Sequence, residues 1–155
     1  MRTEDLDELD EFILHELQGN ARHTSASTIA EQMDVAASTV RNRIRQLEDC
    51  DVIRGYPLDI DYELAGYPLH TIILCTAPMP ERETLAREAL DVSGVVAVRE
   101  IMTGEQNVHV SVVGTDHDDL SRIGQDLNEL GLEVVEEELI RNEYTQSYQR
   151  FDCSE

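Results

Sequence analysis

Residues 36–48 read AASTVRNRIRQLE, with Arg41, Arg43 and Arg45 inside five positions and no acid before Glu48. These residue types carry the hydrogen-bonding chemistry of nucleic-acid recognition. Arginine offers guanine O6 and N7 two donors in one plane, asparagine or glutamine can pair with adenine in the same way, and serine and threonine reach phosphates or base edges. The chain around this stretch has the opposite sign: 33 acidic residues against 12 basic ones, a formal net charge of −21. Residues 36–47 carry +3, so −24 falls on everything else. A helix face that only needed hydration would carry Asp and Glu like the rest of the surface. Leaving them out marks a face that approaches phosphate.

Helical phase sorts these side chains. At about 100° per residue, Val40, Ile44 and Leu47 form one narrow apolar stripe. Ser38, Asn42 and Arg45 lie opposite it, with Thr39, Arg41 and Gln46 on the flanks. Arg43 falls about 60° from Val40, at the edge of the stripe. It has two readings, a DNA contact or a partner for an acid of its own domain. The candidate DNA-binding residues are therefore Ser38, Thr39, Arg41, Asn42, Arg43, Arg45 and Gln46, joined by Arg54 further on.

The elements that must hold this face can be read outward from it. The spacing of Leu9, Phe12, Ile13 and Leu17 predicts a helix over residues 5–18, with Thr3 as its cap and Gly19-Asn20 as its stop. Ser25 can cap a short second helix with Ile29, Ala30 and Met33 on its apolar face. A tight break at Asp34-Val35 then leads into a third helix over residues 37–49. Three helices with so short a turn between the last two make a helix-turn-helix pattern. Residues 52–57 read as a short strand with a bend, fit for a wing or a linking strand. Pro57, Gly66 and Pro68 punctuate the stretch that follows. The chain divides there into a DNA-binding domain, residues 1–60, and a second domain, residues 61–155.

The second domain changes pattern. Strand-like runs at 69–77, 95–102, 107–113 and 132–140 alternate with two helices. One helix starts at Pro80 and extends to about residue 90. The other is capped by Asp116, keeps Leu120, Ile123, Leu127 and Leu130 on one face, and is closed by Gly131. The order β-α-β-β-α-β is the ferredoxin-like arrangement, so the fold class is α+β: a winged helix-turn-helix domain followed by a ferredoxin-like sheet. That fold hosts unrelated functions. No nucleophile sits beside an evident base and no phosphate loop or zinc motif is present, so the chain does not read as an enzyme and implies no cofactor. Glu136-Glu137-Glu138 could hold a cation, but in so acidic a chain it reads better as salt-adapted surface. His109 lies on the alternate face of a valine strand, with His70 and Cys75 on the neighbouring strand, which makes a metal site there a minor alternative.

Composition bounds the setting. All twelve basic residues are arginine; there is no lysine. Such an acid excess repels itself in dilute salt and is screened at molar salt, where the Debye length is about 3 Å. A salt-rich cytoplasm, and so a halophilic source, accounts for it best. Three widely spaced cysteines, Cys50, Cys75 and Cys153, suggest neither a disulfide framework nor a Cys-x-x-Cys site. The N-terminus is no signal peptide and no apolar run approaches 18 residues, so the expected setting is cytoplasmic.

Taken in order, these stretches resemble the Lrp/AsnC (feast/famine) transcriptional regulators over nearly the whole chain. Leu9-Asp10 through Leu17, Ile29-Ala30, Ser38 through Ile44, Leu47-Glu48 and Val52 through Tyr56 look like that family's helix-turn-helix domain. Thr103-Gly104 with Asn107, and Leu130-Gly131-Leu132, look like its effector-binding domain. The resemblance implies dimers formed through the C-terminal sheets, often assembled into tetramers or octamers, and promoter binding with the third helix in the major groove. It also implies an effector, commonly an amino acid, held between subunits by Met102, Thr103, Gly104, Glu105, Asn107 and His109. Three positions depart from the family's pattern. Asp51 stands where Gly usually precedes Val-Ile, so the helix end must be closed differently. Ala36 stands where Ser often caps the third helix. Asn107 stands where Asp is usual. A carboxylate could hold an ammonium group, whereas an amide gives an ordinary hydrogen bond, so the effector's identity, and whether there is one, stays open.

Overall fold

Helix α1 (Glu8–Asn20) begins where Asp7 and Asp10 exchange hydrogen bonds: each carboxylate accepts the other's backbone N–H, at 3.0 and 3.3 Å. This reciprocal cap satisfies amides that the first helical turn leaves unpaired. The cap predicted at Thr3 lies outside residues 6–151, which are those the computed structural model describes. Helix α2 (Ala26–Gln32) is capped by Ser25, whose Oγ accepts the Thr28 N–H at 3.1 Å. Asp34, at φ +52°, turns the chain into α3 (Ala37–Asp49). Ile13, Leu14, Ile29, Ala30, Val40 and Leu47 form the core of this unit.

Both ends of α3 depart from ordinary capping. Ala36 offers no side-chain cap, and Ser38 does not replace it. At the other end Asp51 itself takes the left-handed conformation, φ +57°, while the Val52 N–H donates to the Leu47 carbonyl at 3.0 Å. The closure is the kind glycine ordinarily makes, carried here by an aspartate, which tolerates that region better than most side chains.

The strand predicted at 52–57 does not form, and the described residues contain no wing there. After Asp51 the backbone meets no neighbouring strand to pair with, and Pro57 has no N–H to give one. The Tyr56 hydroxyl instead donates to Glu48 Oε1 at 2.8 Å, tying this segment back to α3.

The second unit, Asp59–Glu143, is a four-stranded sheet with two helices on one face. Its elements are β1 (Leu69–Thr76), α4 (Arg82–Ala89), β2 (Val95–Glu100), β3 (Val108–Gly114), α5 (His117–Leu130) and β4 (Glu133–Leu139). The strands lie in the order β2-β3-β1-β4, every neighbouring pair antiparallel. Asp116 caps α5 by accepting the Asp119 N–H at 2.9 Å, and Gly131 at φ +110° ends it. Pro80 lies in the turn before α4 rather than in its first turn. Alternation puts Ile73, Cys75, Val108, Val110 and Val112 against Leu85, Ala89, Ile123 and Leu127 in the core. His70, Ile72 and Leu74 face the other way, paired with Val113, Ser111 and His109. At one edge, β4 carries Glu133, Glu136, Glu137 and Glu138, charges that discourage pairing with another chain's strand.

The chain's last described part is a correction to the domain reading. The segment from Tyr144 groups with the helical unit rather than the sheet. Its short 3-10 turn, Gln149–Phe151, brings Phe151 onto the helical core, and the Tyr148 N–H donates to Gln18 Oε1 at 2.8 Å. An aromatic ring has more to gain against that apolar surface than in solvent.

Candidate functional sites

Helix α3 presents its polar face to solvent. Ser38, Thr39, Arg41, Asn42, Arg45 and Gln46 are all exposed, and so is Arg54 beyond the helix end. Val40 and Leu47 are buried and Ile44 is half-buried, so the apolar stripe holds the helix down and leaves the opposite face clear. Among the described residues, Arg41, Arg45 and Arg54 form no ion pair, which leaves their guanidinium groups available.

Arg43 is placed differently. Its Nη2 donates to Asp7 Oδ2 at 2.6 Å and its Nη1 to Asp10 Oδ2 at 2.9 Å. Asp10 has a side-chain exposure of only 1%, Asp7 of 47%. The capping geometry places both carboxylates against the positive end of the α1 dipole. Burial pushes the Asp10 carboxyl above the usual carboxylate range, against the pull of the Asp7 N–H and of Arg43. Asp7 is also opposed by some burial, but the Asp10 N–H and the Arg43 charge outweigh it and hold Asp7 below that range. Removing Arg43 would leave Asp10 as an unpaired buried charge, a loss of about 3–5 kcal/mol. Of the two sequence readings of Arg43, the geometry supports the one within the domain. Asp7 and Asp10 were not among the predicted site residues. The signal was present: Asp10 precedes Ile13 by three and Leu14 by four, so it shares their buried face.

The turn between β2 and β3 is the second candidate site. Gly104 turns it at φ +97°, the Ile101 N–H donates to the Asn107 carbonyl at 2.9 Å, and Thr76 Oγ1 donates to the Glu105 carbonyl at 3.0 Å. An open pocket of about 410 Å³ lies beside it, lined by Ile101, Thr103, Gly104, Glu105, Gln106 and His109. Four of the predicted effector residues thus come together: Thr103, Gly104, Glu105 and His109. Two do not. The Met102 side chain is 91% exposed and lines no part of the pocket. Asn107 is buried and turned inward, where its Oδ1 accepts the Ala77 N–H at 2.8 Å and its Nδ2 donates to the Ala77 carbonyl at 2.9 Å. The amide is the one side chain of that size that answers both backbone groups at neutral pH; a carboxylate would have no proton for the carbonyl. Arg82, not predicted, braces the turn from α4 by donating to the Ile101 carbonyl at 3.2 Å and to Glu100 at 3.1 Å.

The minor metal reading finds no support. Cys75 points into the helix-side core while His109 lies on the opposite face, and burial pushes the Cys75 thiol up to about 11. His70 sits four residues along β1 from the partner of His109, roughly 13 Å at ordinary strand rise. No group of three potential metal ligands occurs among the described residues.

Comparison with known proteins fits this arrangement. Residues 6–48 match the AsnC-type helix-turn-helix domain. A helix-turn-helix transcriptional regulator of Pyrococcus abyssi, itself uncharacterised, is 33% identical over 117 residues, 76% of this chain and 78% of the relative. The chain belongs to the Lrp/AsnC family of transcriptional regulators. Members of solved structure share the fold through both units of this Lrp/AsnC protein. AldR of Mycobacterium tuberculosis superposes with a TM-score of 0.76 at 26% identity, covering 92% of this chain and 99% of its own. A transcriptional regulator of Neisseria meningitidis, solved as a complex with L-Met, superposes with a TM-score of 0.74 at 25% identity, covering 92% and 94%. No helix among the described residues is long and apolar enough to cross a membrane.

Proposed function

We propose that this regulator binds specific promoter sequences as a dimer, reading pseudo-palindromic double-stranded DNA with the exposed face of α3. The observation that carries the reading is that face itself: six exposed polar side chains over residues 38–46, two of them arginines without ion-pair partners among the described residues, and no acid before Glu48, in a chain of net charge −21. Ser38, Asn42 and Arg45 read bases, while Thr39, Arg41, Gln46 and Arg54 serve phosphates or flanking edges. The DNA-binding module meets the sheet module near residue 60. The dimer forms through the C-terminal sheets and can build tetramers or octamers. The pocket at Thr103, Gly104, Glu105 and His109 takes an amino acid or related metabolite: the L-Met complex of the Neisseria relative supports that class, and the Glu105 carboxylate can receive an ammonium group.

The protein works in a salt-rich cytoplasm. Counterion release contributes little affinity there, because binding through phosphates weakens steeply as salt rises. Base contacts and avidity between subunits carry the binding instead. Selection of duplexes from a random pool, by the wild type and by Arg45→Ala, tests this. Arg45→Ala should lose preference at the positions it reads. An equal loss on all sequences would show that Arg45 contacts only the backbone.

A further inference from the structure

We propose that Arg43 is a positioning residue of the recognition helix, not a DNA contact: with Asp7 and Asp10 it forms an ionic clamp that sets the rotation of α3 on α1 and so aims the reading face. This rests on the DNA-binding role assigned to α3 above.

The argument begins with what the apolar core does not do. Ile13, Leu14, Val40 and Leu47 hold the two helices together, but burial of aliphatic surface is not directional. A small rotation or slide of α3 changes that burial little. The Arg43 fork is directional. Its two terminal nitrogens engage two different carboxylates, 2.6 and 2.9 Å away, so rotation about the α3 axis breaks one or both bonds. The acceptors are themselves fixed, because the capping box at the start of α1 holds Asp7 and Asp10 against backbone amides. Asp10 is closed to solvent, and among the described residues Arg43 is the only cation that pairs with it. Two carboxylates against one guanidinium leave the cluster net negative, which does not attract phosphate. A partly buried pair is also screened less by salt than the exposed arginines, so the clamp keeps its strength under conditions that weaken surface contacts.

The test uses the full-length protein and two duplexes of equal length, one selected by the wild type from a random pool and one of mixed sequence. Variants are Arg43→Gln, Asp10→Asn, Asp7→Asn and the double variant Arg43→Gln/Asp7→Asn. Asparagine caps a helix as well as aspartate does, so Asp7→Asn removes the ionic contact and keeps the cap. Arg43→Gln and Asp10→Asn should each weaken binding to the selected duplex about tenfold, the loss of one well-placed base contact. Binding to the mixed duplex, and the slope of log affinity against log salt, should stay at wild-type values. Asp7→Asn should show a smaller loss in the same direction, and the double variant should be no worse than Arg43→Gln alone. The clamp is overturned if Arg43→Gln weakens both duplexes equally and flattens the salt slope by about 0.9 while the aspartate variants bind normally, since Arg43 then contacts a phosphate. It is also overturned if the variants melt earlier but keep the wild-type ratio of selected to mixed binding. Should Arg43→Gln and Asp10→Asn fail to fold, Asp7→Asn decides, and unchanged selectivity in it rejects the clamp. A wild type that retains neither duplex rejects the DNA-binding role first, and the clamp's role with it.

Discussion

Replacing Asn107 by aspartate changes one NH₂ for an oxygen and probes the bracing of the whole 101–107 turn. Asn107 is 6% exposed and bonds both backbone groups of Ala77, at 2.8 and 2.9 Å. In the ionised variant the bond to the Ala77 N–H survives, but the other oxygen faces the Ala77 carbonyl without a proton between them. The loss is a hydrogen bond worth about 1 kcal/mol and the desolvation of an unpaired carbonyl, about 1–3 kcal/mol, with burial of a charge besides. A deficit of about 2–4 kcal/mol at neutral pH follows, a fall in melting temperature on the order of 10–20 °C for a unit of this size. The sign of its pH dependence is fixed by the same geometry. Burial and the facing carbonyl favour the protonated acid, so the folded-state pKa of the introduced carboxyl lies above its unfolded value of about 3.9. Protonated, the side chain again has a donor for the Ala77 carbonyl. The deficit should therefore be largest at and above neutral pH, shrink as pH falls through the raised folded-state pKa, and level off below the unfolded value of about 3.9. Urea unfolding of wild type and Asn107→Asp, compared at each pH in molar KCl and followed by circular dichroism, measures the difference directly. A variant as stable as wild type at neutral pH, or a deficit that grows on acidification, would refute the pairing of Asn107 with Ala77.

Other predictions concern the helical unit and the core. Asp51 holds a left-handed backbone at φ +57°, so Asp51→Gly should stabilise by about 0.5–1 kcal/mol in both dilute and molar KCl. Asp51→Asn keeps the backbone preference and removes only a negative charge near the C-terminus of α3, so its gain of about 0.3–1 kcal/mol in dilute salt should vanish in molar KCl. Thermal melts at the two salt concentrations separate these, and a destabilised Asp51→Gly would show that the helix closes another way. Cys75 is fully buried with its thiol pushed up to about 11, whereas Cys50 is exposed. At about pH 8, iodoacetamide followed by peptide mapping should label Cys50 within the folded protein and reach Cys75 only after denaturant is added. Rapid labelling of Cys75 in the native protein would mean that the sheet core opens readily.

What the sequence determined by itself is what short-range geometry controls. The periodicity of Val40, Ile44 and Leu47 set which face of α3 is buried, and with it the exposed positions of Ser38, Asn42 and Arg45. Ser25, Asp116 and Gly131 announced helix ends because a cap acts within one turn of its own residue. The β-α-β-β-α-β order followed from alternation and turn residues. The predicted strand at 52–57 failed for the complementary reason: β-propensity is local, but a strand exists only where another backbone lies beside it. Only the tertiary structure chose the partners. Arg43 bonds acids 33 and 36 residues away, Asn107 a backbone 30 residues away, and Arg82 a carbonyl 19 residues away. In a chain with 33 acids, composition alone cannot say which one meets Arg43. The packing of α1 on α3 brings Asp7 and Asp10 to it, and the pairing of β1 with β3 carries Asn107 to Ala77 and away from the pocket it was expected to line.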